Sequence, residues 1–174
     1  MPYKSPLQDT KFVLENLLSP HTDLDISTID AVLSEASKLA DNHLAPLNHF
    51  GDKNNPILRQ DNEVQTPEGF KTVFSKIAEG GWIGVASEDE YDGMGLPGRM
   101  SAAINEYWHG ANMSFALCSL LTQGLIDAFT LVGTDEEKKN IPSKIQFRSL
   151  DWHYEFNRTS VWYRFSYYKN KGKV

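Results

Sequence analysis

Residues 113–132 read MSFALCSLLTQGLIDAFTLV, and the fold class turns on this run. It holds no proline and one charge, Asp127, and its apolar residues fall on most sides of a 3.6-residue period instead of alternating at period 2. The pattern predicts a helix, central to a packed helical domain. Gly133 is placed to end it in the left-handed conformation, and Thr134-Asp135-Glu136-Glu137 forms a capping box for a last short helix that Pro142 confines.

Working back toward the N-terminus, Met100, Ala103, Ile104, Tyr107 and Trp108 make one inward stripe on a preceding helix. Earlier still, Phe70, Val73, Phe74 and Ile77 make another, on a helix opened by Thr66 as cap with Pro67 in its first turn and closed at Gly80-Gly81. Ser27 is positioned to cap a helix whose Ile29, Val32, Leu33, Ala36, Leu39 and Ala40 recur at i, i+3, i+4 until Ala45-Pro46. A short first helix follows Ser5-Pro6 and sets Phe12, Val13 and Leu17 on one face before Pro20. Residues 46–66, rich in Asn, Asp, Gly and Pro, read as loop, and no strand is visible before residue 146. The expected fold is all-α, a helical bundle.

The length of 174 residues and 40% apolar composition suit one packed domain. No run reaches the roughly 18 apolar residues of a membrane span, and Met1-Pro2-Tyr3-Lys4 leads into no signal-peptide core, so the chain is expected in the cytoplasm without a membrane span. Cys118 is the single cysteine, which rules out an intrachain disulfide; in its apolar setting it reads as a small buried hydrophobe. Residues 1–145 carry 11 Lys/Arg against 21 Asp/Glu, an acidic balance that argues against nucleic acid as the main partner.

Chemistry-bearing patterns are sparse. Tyr91-Asp92-Gly93-Met94-Gly95-Leu96-Pro97 is a tight Gly-punctuated loop, but no Gly-x-Gly-x-x-Gly follows a strand and no Lys-Ser/Thr follows the glycines, so neither phosphate-binding fingerprint applies. His43 and His49 lack metal-ligand spacing and read as solvated loop histidines. Glu106 reads as a surface carboxylate and Asp127 as exposed or salt-bridged. No Ser-His-Asp, Cys-His or paired-carboxylate arrangement stands out, leaving no catalytic, cofactor-binding or metal residue to name from the pattern. What remains is a nearly apolar helix, a plausible wall for an apolar ligand.

The order of several short motifs, however, is specific. Asn48 to Asp52, Thr66-Pro67-Glu68-Gly69-Phe70, Glu79-Gly80-Gly81-Trp82, Glu90 to Pro97, Asn105-Glu106, Ala111-Asn112-Met113 and Gly133-Thr134-Asp135-Glu136-Glu137-Lys138 together resemble the N-terminal helical domain of acyl-CoA dehydrogenases. The resemblance covers about residues 3–145, and the segment from Tyr3 to Leu18 looks most like the branch that includes methylmercaptopropionyl-CoA dehydrogenases. Asp92 stands where the family usually has Gly; Asp tolerates a left-handed backbone. Members of the family are FAD-dependent homo-oligomers that oxidise an acyl-CoA thioester at its α,β carbons, and the resemblance implies that chemistry for the full-length protein, its own oligomeric state being left open. It also implies that the helix over 114–132 lies along the acyl chain. At i, i+4, i+7 spacing, Leu117, Leu121 and Gly124 share a face, and they are the substrate-lining residues expected here, with ordinary core packing as the alternative. No catalytic base carries over, because the region bearing it has no counterpart in this sequence.

Residues 146–174 break the pattern. They hold nine of the chain's aromatics and six Lys/Arg against two acids, with neither helical nor strand periodicity. In the family the next segment opens with Trp-Thr-Gly and a Thr-Glu-Pro-x-x-Gly-(Ser/Thr)-Asp run against the flavin, and neither occurs here. Yet one permitted choice of codons for residues 149–166, read one base later, gives VWTGTMNLTEPQSGTDL. The expectation is therefore a domain over 1–145 followed by an out-of-frame, disordered tail over 146–174, the reading frame being lost between about Ile145 and Ser149. The product would then retain no FAD and be inactive alone. Two alternatives stay open: a genuine aromatic and basic tail that stacks bases or binds an acidic partner, and a non-catalytic helical interaction module.

Overall fold

Helices carry the architecture, in the order α1 (Leu7–Phe12), α2 (Ile26–Leu39), α3 (Ala45–Lys53), a hairpin of β1 (Ile57–Leu58) and β2 (Val64–Gln65), α4 (Phe70–Glu79) and α5 (Gly98–Val132). The computed structural model describes residues 3–18, 25–61, 63–91, 93–135 and 138; the tail over 146–174, Asp92 and most of the last expected helix lie outside them.

At the N-terminus, α1 runs directly into a π turn over Val13–Leu17, where Leu18 N–H reaches Val13 C=O, five residues back. The wider turn rotates the side chains off a 3.6 period. The expected face of Phe12, Val13 and Leu17 is therefore exposed, and Leu14 is the buried residue instead. Polar contacts hold this segment to the next elements: Lys11 Nζ sits 2.6 Å from Asp30, while Ser5 donates its N–H and its hydroxyl to Asp41 Oδ1, both at 2.8 Å.

The cap of α2 is Asp25 rather than Ser27. Its carboxylate accepts from Thr28 N–H and from the Ser27 hydroxyl, each at 2.7 Å, which starts the helix ahead of the serine. Ile29, Leu33, Ala36 and Ala40 are buried as their spacing predicted. The chain does not stop at Ala45-Pro46. A second π turn, Ala40–Leu44, widens the ladder so that Ala45 N–H pairs with Ala40 C=O, and Pro46 enters the first turn of α3, where its missing N–H leaves no partner wanting. The expected loop over 46–66 is accordingly α3 plus the antiparallel hairpin, with Ile57 opposite Gln65 and Leu58 opposite Val64. Strands of two residues are too short to show alternation in a sequence.

The entry to α4 is also set differently from expectation. Gly69, at φ 88°, turns the chain in, and Phe70 N–H bonds Pro67 C=O, leaving Thr66 outside the helix. Val73, Phe74, Ile77 and Ala78 are buried. After α4 the Gly-punctuated loop folds onto itself, with Met94 N–H on Gly84 C=O at 3.0 Å, Gly95 N–H on Ser87 C=O at 2.8 Å and Leu96 N–H on Val85 C=O at 3.0 Å. Gly93 is required there, since a Cβ would lie 2.0 Å from the Ser87 carbonyl oxygen.

The two helices expected over 98–132 are one long element broken at Asn112, whose backbone is extended (φ −158°, ψ 91°). The arm before the break supplies the centre of the core: Met100, Ala103, Ile104, Tyr107, Trp108 and Ala111 are buried, and Trp108 meets Trp82 edge to face at 6.2 Å. Phe115, just past the break, packs against Phe70 and Phe74 with ring centroids 6.0 Å away in each case.

Candidate ligand face on the second arm of α5

Contrary to expectation, the arm over 113–132 is not central. Its buried side is a narrow stripe of Phe115, Ala116, Ser119, Thr122 and Ile126. At 100° per residue, Leu117, Leu121 and Gly124 lie on the opposite side, and there the structure brings them together: Leu117 is 47% exposed, Leu121 42% exposed, and a Cβ on Gly124 would have open space around it. Met113 and Leu120 extend the same apolar strip, and Leu131, 81% exposed, continues it toward the helix end. A run of large apolar side chains facing water along several helical turns marks a surface built to be covered.

By length and composition α5 is apolar enough to cross a membrane, although the sequence reading found no such run. Its first arm is the core of the domain, and the apolar stretch lies on the second arm, past the break at Asn112.

Asp127 borders the strip, one turn past Gly124 and one before Leu131, and is exposed. Asp127 and Gln123 line a notch of about 40 Å³ with Ile83, Ala86, Ser87 and Ser101, and Asn105 bridges the arms by donating to Gln123 Oε1 at 3.3 Å and to Ser101 Oγ at 3.4 Å. Glu106 is exposed, as expected. Burial pushes the Tyr3 and Tyr107 phenols above the ordinary tyrosine value. Cys118, expected inside, is exposed; the surrounding atoms still desolvate its thiol and raise its pKa, which makes it a poor thiolate nucleophile. His43 and His49 sit on helical segments, the second π turn and α3, not in a loop. Among the described residues no three His, Cys, Asp or Glu gather as a metal site.

Neither the notch nor the Gly-punctuated loop offers a flavin site among the described residues. The notch falls far below the roughly 300 Å³ at which ligand pockets begin, and the Gly-punctuated loop spends its amides on its own carbonyls.

The chain belongs to the acyl-CoA dehydrogenase family: residues 28–145 match the model of the acyl-CoA dehydrogenase N-terminal domain. It is similar to the 3-methylmercaptopropionyl-CoA dehydrogenase of Ruegeria pomeroyi, with 34% identity over 146 residues, covering 79% of this chain and 25% of that protein. It is also similar to the broad-specificity linear acyl-CoA dehydrogenase FadE5 of Mycobacterium tuberculosis, 29% identical over 146 residues, covering 79% of this chain and 24% of that one. The chain thus spans about a quarter of the length of these curated relatives.

Proposed function

We propose that this chain is the N-terminal helical part of an FAD-dependent acyl-CoA dehydrogenase, separated from the part that holds flavin and catalytic base, and inactive by itself. Its own contribution is a wall for the acyl chain. The exposed strip through Leu117, Leu121 and Gly124, opposite the packed side of α5, is the observation that carries this reading. Methylene groups laid against such a strip leave water at about 0.8 kcal/mol each, which binds and aligns a chain without moving a proton. FAD would be held elsewhere and would supply the hydride acceptor; no step is assigned to residues of this chain. Asp127, exposed one turn past Gly124 and one before Leu131, borders the strip, and no chemical step is assigned to it.

The same strip, together with exposed Ile57 and Leu58 on the hairpin, favours a second reading, a helical module that docks on another protein. Purification separates active from inactive states. The chain should emerge without an absorbance band near 450 nm and without acyl-CoA-dependent reduction of an acceptor dye, whereas a yellow protein that turns over would contradict the proposal.

A further inference from the structure

We infer that Asn112 is a positioning residue that sets the direction of the second arm of α5, and so the aim of the Leu117, Leu121 and Gly124 strip, by joining two irregular turns. The side chain is fully buried. Its Oδ1 accepts from Phe115 N–H at 3.1 Å and from the Ser114 hydroxyl at 2.8 Å, which restarts the helix as an N-cap. Its Nδ2 donates to Leu44 C=O at 3.3 Å, the last residue of the π turn Ala40–Leu44. One amide therefore ties the place where α5 loses its i to i+4 ladder to the place where the α2–α3 helix widens its own.

The arm is gripped most firmly at its base. Beyond Phe115 it is held by the buried Ala116, Ser119, Thr122 and Ile126, by the partly buried Leu125 and by the hydrogen bond between Asn105 and Gln123. Both hydroxyls bond carbonyls of their own helix, Ser119 to Ala116 at 2.9 Å and Thr122 to Cys118 at 3.5 Å, and alongside lies the polar notch of about 40 Å³. Few large apolar groups fix the angle there, in contrast to Met100, Ile104, Tyr107 and Trp108 on the first arm. At 1.5 Å rise per residue the arm is about 30 Å long, so a tilt of about 10° at the pivot carries its far end about 5 Å. The inference concerns geometry; only its bearing on acyl specificity rests on the reading given above.

The test uses the full chain with one nitroxide on Cys118 and a second on an A31C substitution at an exposed site of α2, read as a distance distribution by pulsed electron resonance. N112D keeps the cap oxygens, but near about pH 8 its charged oxygen faces the Leu44 carbonyl, while near about pH 5 the buried carboxyl is protonated and donates in place of Nδ2. The parent should give one narrow distance at both pH values. N112D should be broadened by several ångströms at the higher pH and narrow at the lower, with helical circular dichroism unchanged. N112S, which offers a cap oxygen but no charge and no reach to Leu44, should be broad at both. A role confined to capping predicts narrow distributions for all three proteins, and that result, or an N112D distribution equally broad at both pH values, would overturn the inference. No acyl ligand or flavin enters the measurement, so its failure leaves the acyl-wall reading standing, and the reverse also holds.

Discussion

Two residues do opposite kinds of local work, and each can be tested alone. Gly93 is needed for closeness: its Cβ position lies 2.0 Å from the Ser87 carbonyl oxygen. Gly95 is needed for handedness, at φ 61° with nothing within 4 Å of a Cβ. Gly93→Ala should therefore cost about 1–3 kcal/mol through overpacking, a fall of roughly 2–4 °C per kcal/mol in Tm, while Gly95→Ala should cost about 1 kcal/mol from backbone conformation alone. Thermal melts of both variants check this, and a larger loss for Gly95→Ala would contradict it. Asp25 acts through charge. The Ser27 hydroxyl and the Thr28 amide hold its carboxyl below the ordinary carboxylate value, so its stabilisation of α2 is present above about pH 4 and is lost as the pH falls through the folded pKa. The Thr28 amide resonance should follow that titration in the parent and stay flat with pH in Asp25→Asn, which still caps but cannot ionise.

Among the elements, the buried and open sides of the helices predict contrasting tolerance. Ile77, fully buried on α4, should lose about 2–5 kcal/mol on change to Ala. A double Leu117→Lys, Leu121→Lys change should alter stability by only about 0.5 kcal/mol per site and reduce self-association in sedimentation velocity; a chain that unfolds on this change would show that the strip is packed. The contrast also explains what the sequence could and could not convey. Stripes on α4 and the first arm of α5 were legible because Phe74, Ile77, Ile104 and Tyr107 pack within this chain at i, i+3, i+4 spacing. On the second arm, Leu117 and Leu121 were found on one face, but hydropathy around a helix cannot distinguish a side packed by its own chain from one left for something else. The π turns were not legible, since a single added residue leaves no periodic trace, and the Phe12 and Leu17 face went astray with them. Asn112 was visible only as part of a motif; its pairing with Leu44, 68 residues away, is a tertiary fact.

For the whole molecule, the facts to be joined are a family match over residues 28–145, a length about a quarter of the curated relatives, an apolar strip open to solvent, and a change of composition after residue 145. We propose that they reflect a helical wall parted from the flavin-holding remainder by a lost reading frame. The aromatic and basic composition of residues 146–174 would then carry no selection for packing, and the open strip would make the product prone to associate. The most direct measurement is the nucleotide sequence of the gene across the codons for residues 145–174, read in the frame one base on. The account predicts that this frame encodes VWTGTMNLTEPQSGTDL or a close variant of it, with the Trp-Thr-Gly and Thr-Glu-Pro runs intact. Unrelated residues or stop codons in that frame would contradict it and favour a helical docking module with a tail of its own.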